Sequence, residues 1–292
     1  MSLPKKIYGL IGYPVKHSLS PLMHNAAFEH LGINAEYKLF EVTPDDLENF
    51  LISRKDVAGF NITIPHKVEA KEILERYFPS QESVKNMPEI AALITGAVNT
   101  VSREPEIKFY NTDSVGFSVS LEKDLGFEKE DKTILLIGCG GAGRAVVGSL
   151  TASEASVKKI YIYEVNSEAA GVVDEHFSKN NYTSGKYEFI TYQQIPEVIK
   201  QCQLLVNATP VGMKEGDASP VEKDLLHKDL SVYDVVYNRI TDLIKDARSL
   251  GLAAITGEGM LLYQGAAAFE IWTGTKAPID IMREVLNKEL RK

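Results

Sequence analysis

The stretch Lys132-Thr-Ile-Leu-Leu-Ile-Gly-Cys-Gly-Gly-Ala-Gly-Arg-Ala145 constrains the chain more than any other. Thr133 to Ile137 is an unbroken aliphatic run, which predicts a buried strand. A turn of Gly138, Cys139, Gly140, Gly141, Ala142 and Gly143 follows, and Ala142 to Leu150 reads as a helix. Gly138, Gly140 and Gly143 fit G-x-G-x-x-G. The first glycine permits the tight turn, the second admits a pyrophosphate to the backbone, and the third lets helix and strand pack closely. Strand before and helix after supply the context that a lone glycine pattern lacks. A second apolar run, Lys159-Ile-Tyr-Ile-Tyr-Glu164, ends on an acid about 20 residues on, where a carboxylate would accept from adenosine ribose hydroxyls.

The 292 residues suggest two domains. With 44% hydrophobic and 25% charged residues the chain has the make-up of a globular protein with large cores. A net charge of -8 and the absence of a basic block argue against a nucleic-acid partner. No apolar run reaches membrane-spanning length and the N-terminus lacks a signal-peptide core, so no membrane partner and a cytoplasmic location are expected. The two cysteines, Cys139 and Cys202, are spaced unlike any zinc pattern, and no metal site is expected. Cys139 reads as a small filler of the turn.

Before the glycine turn, strands are predicted at Ile7–Gly12, Tyr37–Val42, Val57–Ile64, Ala97–Val101 and Lys108–Tyr110. Helices are predicted from Pro21 to Leu31 with Ser20 as cap, over Leu47–Arg54 and Lys67–Tyr77, and from the Asn111-Thr-Asp113 start to Leu121. Pro79 to Pro88 reads as irregular. After the turn, strands at Lys159–Glu164, Glu188–Thr191, Leu204–Ala208, Ser231–Val236 and Ala253–Ile255 alternate with helices, which implies a parallel sheet covered on both faces. The tail reads as helices Leu261–Trp272 and Pro278–Arg291 that return to the first domain. The fold class is therefore α/β: an N-terminal α/β domain (1–113, completed by 260–292) and a doubly wound Rossmann-type domain (114–259).

Three polar clusters lie at strand ends or helix starts of the first domain, where open α/β sheets bind ligands. Ser18 and Ser20 precede a helix; they suit a carboxylate, or are a solvated hydroxyl and a cap. Asn61 and Thr63 would share a strand face, with Lys67 opening the next helix against the helix dipole. Asn99-Thr100 and Asn111-Thr-Asp113 form the third, with Asp113 a plausible N-cap.

Taken together and in order, Gly9-x-x-Gly12-x-Pro14-x-x-His17-Ser-Leu-Ser-Pro-x-x-His24-Asn25, Asn61-Ile-Thr-Ile-Pro-His-Lys67, Gly96-Ala-Val-Asn-Thr100, Asn111-Thr-Asp113-x-x-Gly116, the glycine turn, Asn207-Ala-Thr-Pro-x-Gly-Met213 and Gly259-Met-Leu-x-x-Gln264 closely resemble the shikimate dehydrogenase family, including its quinate/shikimate branch. The resemblance spans about Ile7 to Leu286. It implies reversible reduction of 3-dehydroshikimate to shikimate, with quinate as a further substrate. It implies Lys67 and Asp113 as the catalytic pair. Ser18 and Ser20 would hold the substrate carboxylate, and Thr63, Asn99, Asp113 and Gln264 the ring hydroxyls. Tyr237 would be a further substrate-site residue. Thr209 would join the glycine turn in binding cofactor, with Val235 and Gly257 at the nicotinamide end. A lysine ammonium can protonate the oxygen that gains charge as hydride reaches carbon, and a neighbouring aspartate would hold it in place. A monomer or a homodimer is expected.

The sequence departs from the family at one informative point. The usual Asn-Arg-Thr, near which a basic group grips the NADP 2′-phosphate, is replaced by Glu164-Val165-Asn166, and the arginine is missing. A carboxylate there would repel a phosphate, so NAD is expected to be favoured, with NADP possible. Two rival readings are a related two-domain dehydrogenase acting on a folate or an amino acid, and a catalytically silent dinucleotide-binding regulator. The serine pair and the Thr63/Gln264 set argue against the first, and retention of Lys67 and Asp113 against the second.

Overall fold

The computed structural model describes residues 4–79, 86–153 and 156–291. In chain order the elements are β1 (Lys6–Gly12), α1 (Ser20–His30), β2 (Ala35–Glu41), α2 (Leu47–Ser53), β3 (Gly59–Ile62), α3 (Lys67–Tyr77), α4 (Met87–Thr95), β4 (Thr100–Ser102), β5 (Lys108–Tyr110), α5 (Thr112–Lys123), β6 (Thr133–Ile137), α6 (Gly141–Thr151), β7 (Lys159–Tyr163), α7 (Ser167–Ser178), β8 (Tyr187–Phe189), α8 (Ile195–Val198), β9 (Leu204–Asn207), β10 (Ser231–Asp234), α9 (Asp242–Ser249), β11 (Ala254–Thr256), α10 (Glu258–Thr273) and α11 (Ile279–Leu290). The chain divides into two compact units. One comprises the residues up to Gly116 and those from Leu262 onward; the other is Phe117–Leu261.

The first unit holds a five-stranded mixed sheet, ordered β2-β1-β3-β4-β5. β1 pairs in parallel with β2 and β3, whereas β4 and β5 extend the sheet antiparallel. One apolar cluster joins Ile11, Phe60, Ile62 and Val101 of the strands to Leu47 and Leu51 of α2 and to Ile73 and Leu74 of α3. The tail helices complete the unit. Trp272 of α10 donates its indole N–H to the Val101 carbonyl at 2.9 Å. A Cβ at Gly59 would lie 2.5 Å from that indole nitrogen, so glycine is required for the helix to dock on the sheet. Met282 and Leu286 of α11 are fully buried, and α11 packs along α1.

The second unit holds a six-stranded, all-parallel sheet, ordered β11-β10-β9-β6-β7-β8. Alternation along β6 shows why that strand is uniformly apolar. Ile134 and Leu136 face a core with Val146, Leu150, Val173 and Phe177, while Leu135 and Ile137 face a second with Ile195, Leu243 and Ile244. Between β6 and β9 the strand order reverses, which opens a crevice at the carboxyl ends of the strands.

Several expectations need correction. Ser20 is the first residue of α1 rather than its cap; Leu19 stands there without a side-chain bond, and the Ser18 hydroxyl accepts the Ser20 N–H at 3.2 Å. Asp113 lies inside α5, because Asn111 takes the capping role by accepting the Ser114 N–H at 3.2 Å. β3 stops at Ile62, so Thr63 lies beyond the strand instead of sharing its face with Asn61. Within the stretch expected to be irregular, residues 80–85 lie outside the described residues, and its end opens α4. The signals for α4 were present: Asn86 accepts the Glu89 N–H, a proline sits in the first turn, and Gly96 closes it at φ 63°. The expected Ala97–Val101 strand accordingly shortens and shifts to Thr100–Ser102, and the expected Glu188–Thr191 strand to Tyr187–Phe189. Among the described residues no helix is long and apolar enough to cross a membrane.

Candidate active site

The first unit brings together a lysine and an aspartate from distant parts of the sequence. Lys67 opens α3 just past β3, and Asp113 sits in the first turn of α5. Lys67 Nζ lies 2.5 Å from Asp113 Oδ2, and their side chains are 15% and 10% exposed. Because Asn111 caps the helix, the Asp113 carboxylate is free for the ammonium. The Lys67 carbonyl accepts the Val98 N–H at 2.9 Å, which ties the start of α3 to the extended segment through Asn99 that leads into β4.

A polar network leads from this pair toward the serines. Asn99, 2% exposed, accepts the Thr112 N–H at 2.7 Å through Oδ1 and donates through Nδ2 to Thr112 Oγ1. Asn61 donates to the Asn99 carbonyl and to Thr100 Oγ1, and accepts from the Tyr37 hydroxyl at 2.7 Å. Burial pushes the Tyr37 phenol well above the usual range, against a smaller lowering from the Ser20 hydroxyl beside it. The Ser18 hydroxyl donates to Ser20 Oγ at 3.2 Å. Thr63 leaves β3 with its N–H on the Ile11 carbonyl, beside Gly12. Gln264 is a buried residue of α10, adjacent to Gly265, which approaches the His24 ring.

Two supports of this site carried no role in the sequence reading. His24 stacks on Tyr37 at 4.3 Å with 6° between planes, and Asn25 grips the Tyr37 backbone through both N–H and C=O. Their adjacency in the His24-Asn25 motif was the available signal. The His24 ring is wholly buried with neither nitrogen hydrogen-bonded, and desolvation pushes its pKa down to about 3. It is a neutral aromatic plate, not an acid or base.

In the second unit the glycine turn has the shape its sequence demands. Gly138 is at φ 87°, and a Cβ there would meet Thr209 at 2.6 Å. A Cβ on Gly143 would lie 2.2 Å from the Gly138 carbonyl oxygen, so only glycine lets α6 sit this close to β6. Gly140 faces open space, with nothing within 4 Å of a built Cβ. Gly141 and Ala142 begin α6, whose amides are free to meet an anion. A pyrophosphate fits this cradle. Cys139 is 2% exposed, and burial raises its thiol to about 12, which makes it an inert filler. Its N–H donates to Glu164 Oε2 at 2.8 Å, while Oε1 accepts the Asn166 N–H at 3.1 Å. The Glu164 carboxylate thus borders the turn, with part of its accepting capacity already used.

Thr209, Val235 and Gly257 follow the carboxyl ends of β9, β10 and β11. The Thr209 N–H and hydroxyl both bond Asn207 Oδ1, at 3.1 and 2.6 Å. A Cβ on Gly257 would lie 2.0 Å from the Val235 carbonyl oxygen. Tyr237, partly buried, belongs to this unit, and burial raises its phenol.

Comparison with known proteins agrees with the geometry. Residues 10–101 match the profile of the shikimate dehydrogenase substrate binding domain, and residues 257–286 that of the shikimate 5′-dehydrogenase C-terminal domain. A protein of Methanobrevibacter smithii named shikimate dehydrogenase (NADP(+)) is 39% identical over 98% of this chain and 97% of its own. Shikimate 5-dehydrogenase of Listeria monocytogenes, solved with shikimate and NAD, superposes with a TM-score of 0.82 at 32% identity, covering 97% of this chain and 96% of that one. Quinate dehydrogenase of Corynebacterium glutamicum, solved with NAD, gives 0.81 at 27% identity over 98% of this chain and 100% of that one. With a substrate-domain profile, full-length sequence likeness and a two-unit fold in agreement, the chain belongs to the shikimate dehydrogenase family.

Proposed function

We propose that this chain reversibly reduces 3-dehydroshikimate to shikimate, with Lys67 as general acid and base and Asp113 as its partner. The observation that carries the reading is the 2.5 Å Lys67–Asp113 pair, shielded from solvent at a helix start beside the Asn99 network. A nicotinamide dinucleotide, when bound, supplies or accepts the hydride. The protein's own part is positioning and proton transfer. In the reducing direction the Lys67 ammonium donates a proton to the ring oxygen as it gains charge; in the oxidising direction the neutral amine takes the hydroxyl proton. Asp113 orients Nζ and accepts from a ring hydroxyl. Ser18 and Ser20 hold the carboxylate, with Ser20 kept in place through the Ser18 hydroxyl, and Thr63, Asn99 and Gln264 bind the remaining hydroxyls with Tyr237 as a further contact. The turn Gly138–Gly143 and Thr209 receive the pyrophosphate, and Val235 and Gly257 border the nicotinamide.

NAD is the favoured cofactor in this reading, although the M. smithii relative is named for NADP(+). The support is Glu164: its carboxylate, held beside Cys139 N, can accept from a ribose 2′-hydroxyl and repels a 2′-phosphate. Quinate is a second substrate; the likeness to an NAD-bound quinate dehydrogenase favours it. The test is a matrix of initial rates: shikimate and quinate, each with NAD and NADP, followed by nicotinamide absorbance. Turnover of shikimate with kcat/KM higher for NAD is the expected result. Efficiency well above this with NADP overturns the cofactor assignment, and silence in every combination overturns the activity.

A further inference from the structure

The second unit contains a carboxylate that the proposed chemistry does not use. Asp234, at the carboxyl end of β10, is 0% exposed. Burial raises its pKa, and its hydrogen-bond donors are all neutral. Oδ1 accepts Asn207 Nδ2 at 2.9 Å and the Val236 N–H at 3.1 Å; Oδ2 accepts the Thr241 hydroxyl at 2.6 Å. A group so costly to bury needs these directed donors to remain in place.

Two of the three donors lead to residues proposed above to meet the cofactor, and the third to the loop that follows Thr209. The Oδ1–Val236 bond closes an Asx turn across Val235. The Val236 carbonyl in turn accepts the Gly257 N–H at 3.2 Å, and the Val235 N–H bonds the Asn207 carbonyl at 2.9 Å. Asn207, held by Asp234, carries Thr209 on its Oδ1. Thr241 presses its methyl toward Gly212, within 2.8 Å of where a Cβ would stand, in the loop that follows Thr209.

We infer that Asp234 is a positioning residue for the nicotinamide end of the dinucleotide site: through its Asx turn it sets the Val235–Val236 segment against Gly257. This rests on the dinucleotide reading above. Its effect falls mainly on the nicotinamide end: the Gly138–Gly143 turn is shaped by its own glycines and by Glu164, and Asn207, which carries Thr209, keeps its own bond to the Val211 carbonyl at 3.1 Å without Asp234. A side chain with one well-placed oxygen preserves the turn, because the Thr241 hydroxyl can rotate to accept from an amide.

The test uses direct binding to the full chain, with no turnover: titration of reduced NAD by its fluorescence, and of ADP-ribose, which lacks the nicotinamide, by competition. Asp234→Ala is expected to weaken reduced NAD by about tenfold or more while ADP-ribose stays within about threefold. Asp234→Val fills about the same volume beside Val235 and Val236, and is expected to do the same should the alanine variant not fold. Asp234→Asn is expected to restore both ligands to within about threefold of the unaltered protein. Equal weakening of the two ligands marks a merely structural residue and overturns the inference, as does unchanged binding of both in the alanine or valine variant. An unaltered chain that binds neither ligand, nor reduced NADP in the same titration, overturns the dinucleotide reading itself, a result distinguishable from either.

Discussion

Removal of the Lys67 amine tests the proposed chemistry most directly. Lys67→Met keeps most of the stem and deletes the group that lies 2.5 Å from Asp113. Proton transfer by a positioned side chain contributes about 10²–10⁴ to rate, which corresponds to roughly 3–5 kcal/mol of barrier. A fall in kcat of that size is expected, with no rescue by more cofactor. The variant also leaves Asp113 without its cation. Breaking a fully buried pair costs about 3–5 kcal/mol, but these side chains keep 15% and 10% of their exposure, so about 1–3 kcal/mol is the expected loss of stability. The measurements are initial rates of shikimate oxidation, fluorescence titration of reduced NAD, and a thermal melt. Dinucleotide affinity is expected to persist, because the glycine turn belongs to the other unit. A variant that folds, binds dinucleotide and turns over within about threefold of the unaltered chain would falsify the assignment of Lys67 as acid and base.

Three further outcomes follow from particular contacts. Gly143→Ala places a Cβ 2.2 Å from the Gly138 carbonyl oxygen, so α6 must move about 1 Å from β6; dinucleotide affinity should fall by about tenfold or more, with about 1–3 kcal/mol lost in denaturant unfolding. Val165 is 82% exposed at the position matched to the arginine of the usual Asn-Arg-Thr, so Val165→Arg should raise kcat/KM for NADP relative to NAD by about tenfold and leave the melting temperature unchanged. His24, with its pKa pushed down to about 3, binds its proton in the unfolded chain at about 6.5 but not in the folded one until far lower pH. Its contribution to stability is therefore complete above pH 6.5 and is lost as pH falls from there toward 3, by about 1.4 kcal/mol per unit at most. In urea unfolding across that window, His24→Phe should show a shallower pH dependence than the unaltered chain; parallel curves would contradict the buried neutral ring.

Local sequence determined the scaffold to a large extent. A strand buried on both faces of a parallel sheet must be apolar throughout, so Thr133–Ile137 could be read directly, and the glycines that follow are required by backbone geometry within a few residues. The same holds for α3 and for the departure at Glu164, where a change of charge type states its consequence without coordinates. The ordered motifs named the family, and through it Lys67 and Asp113. What local reading missed has a common cause. Caps are decided by which neighbour's side chain reaches a free N–H first, so Ser20 and Asp113 lost that role to a bare turn and to Asn111.

Only the tertiary structure decided which polar groups meet. Lys67 and Asp113 are separated by two helices and two strands of sequence, and pair because β4 and β5 extend the sheet from β3. Nothing in the near neighbourhood of His24 announces a dry aromatic stack, since burial is a property of the elements that close over a residue. Asp234 looks like an interruption in an apolar strand until Asn207, Val236 and Thr241 converge on its oxygens. Period and backbone conformation are short-range and can be read along the chain. Desolvation and hydrogen-bond satisfaction depend on distant segments packed together, and only the tertiary structure decides them.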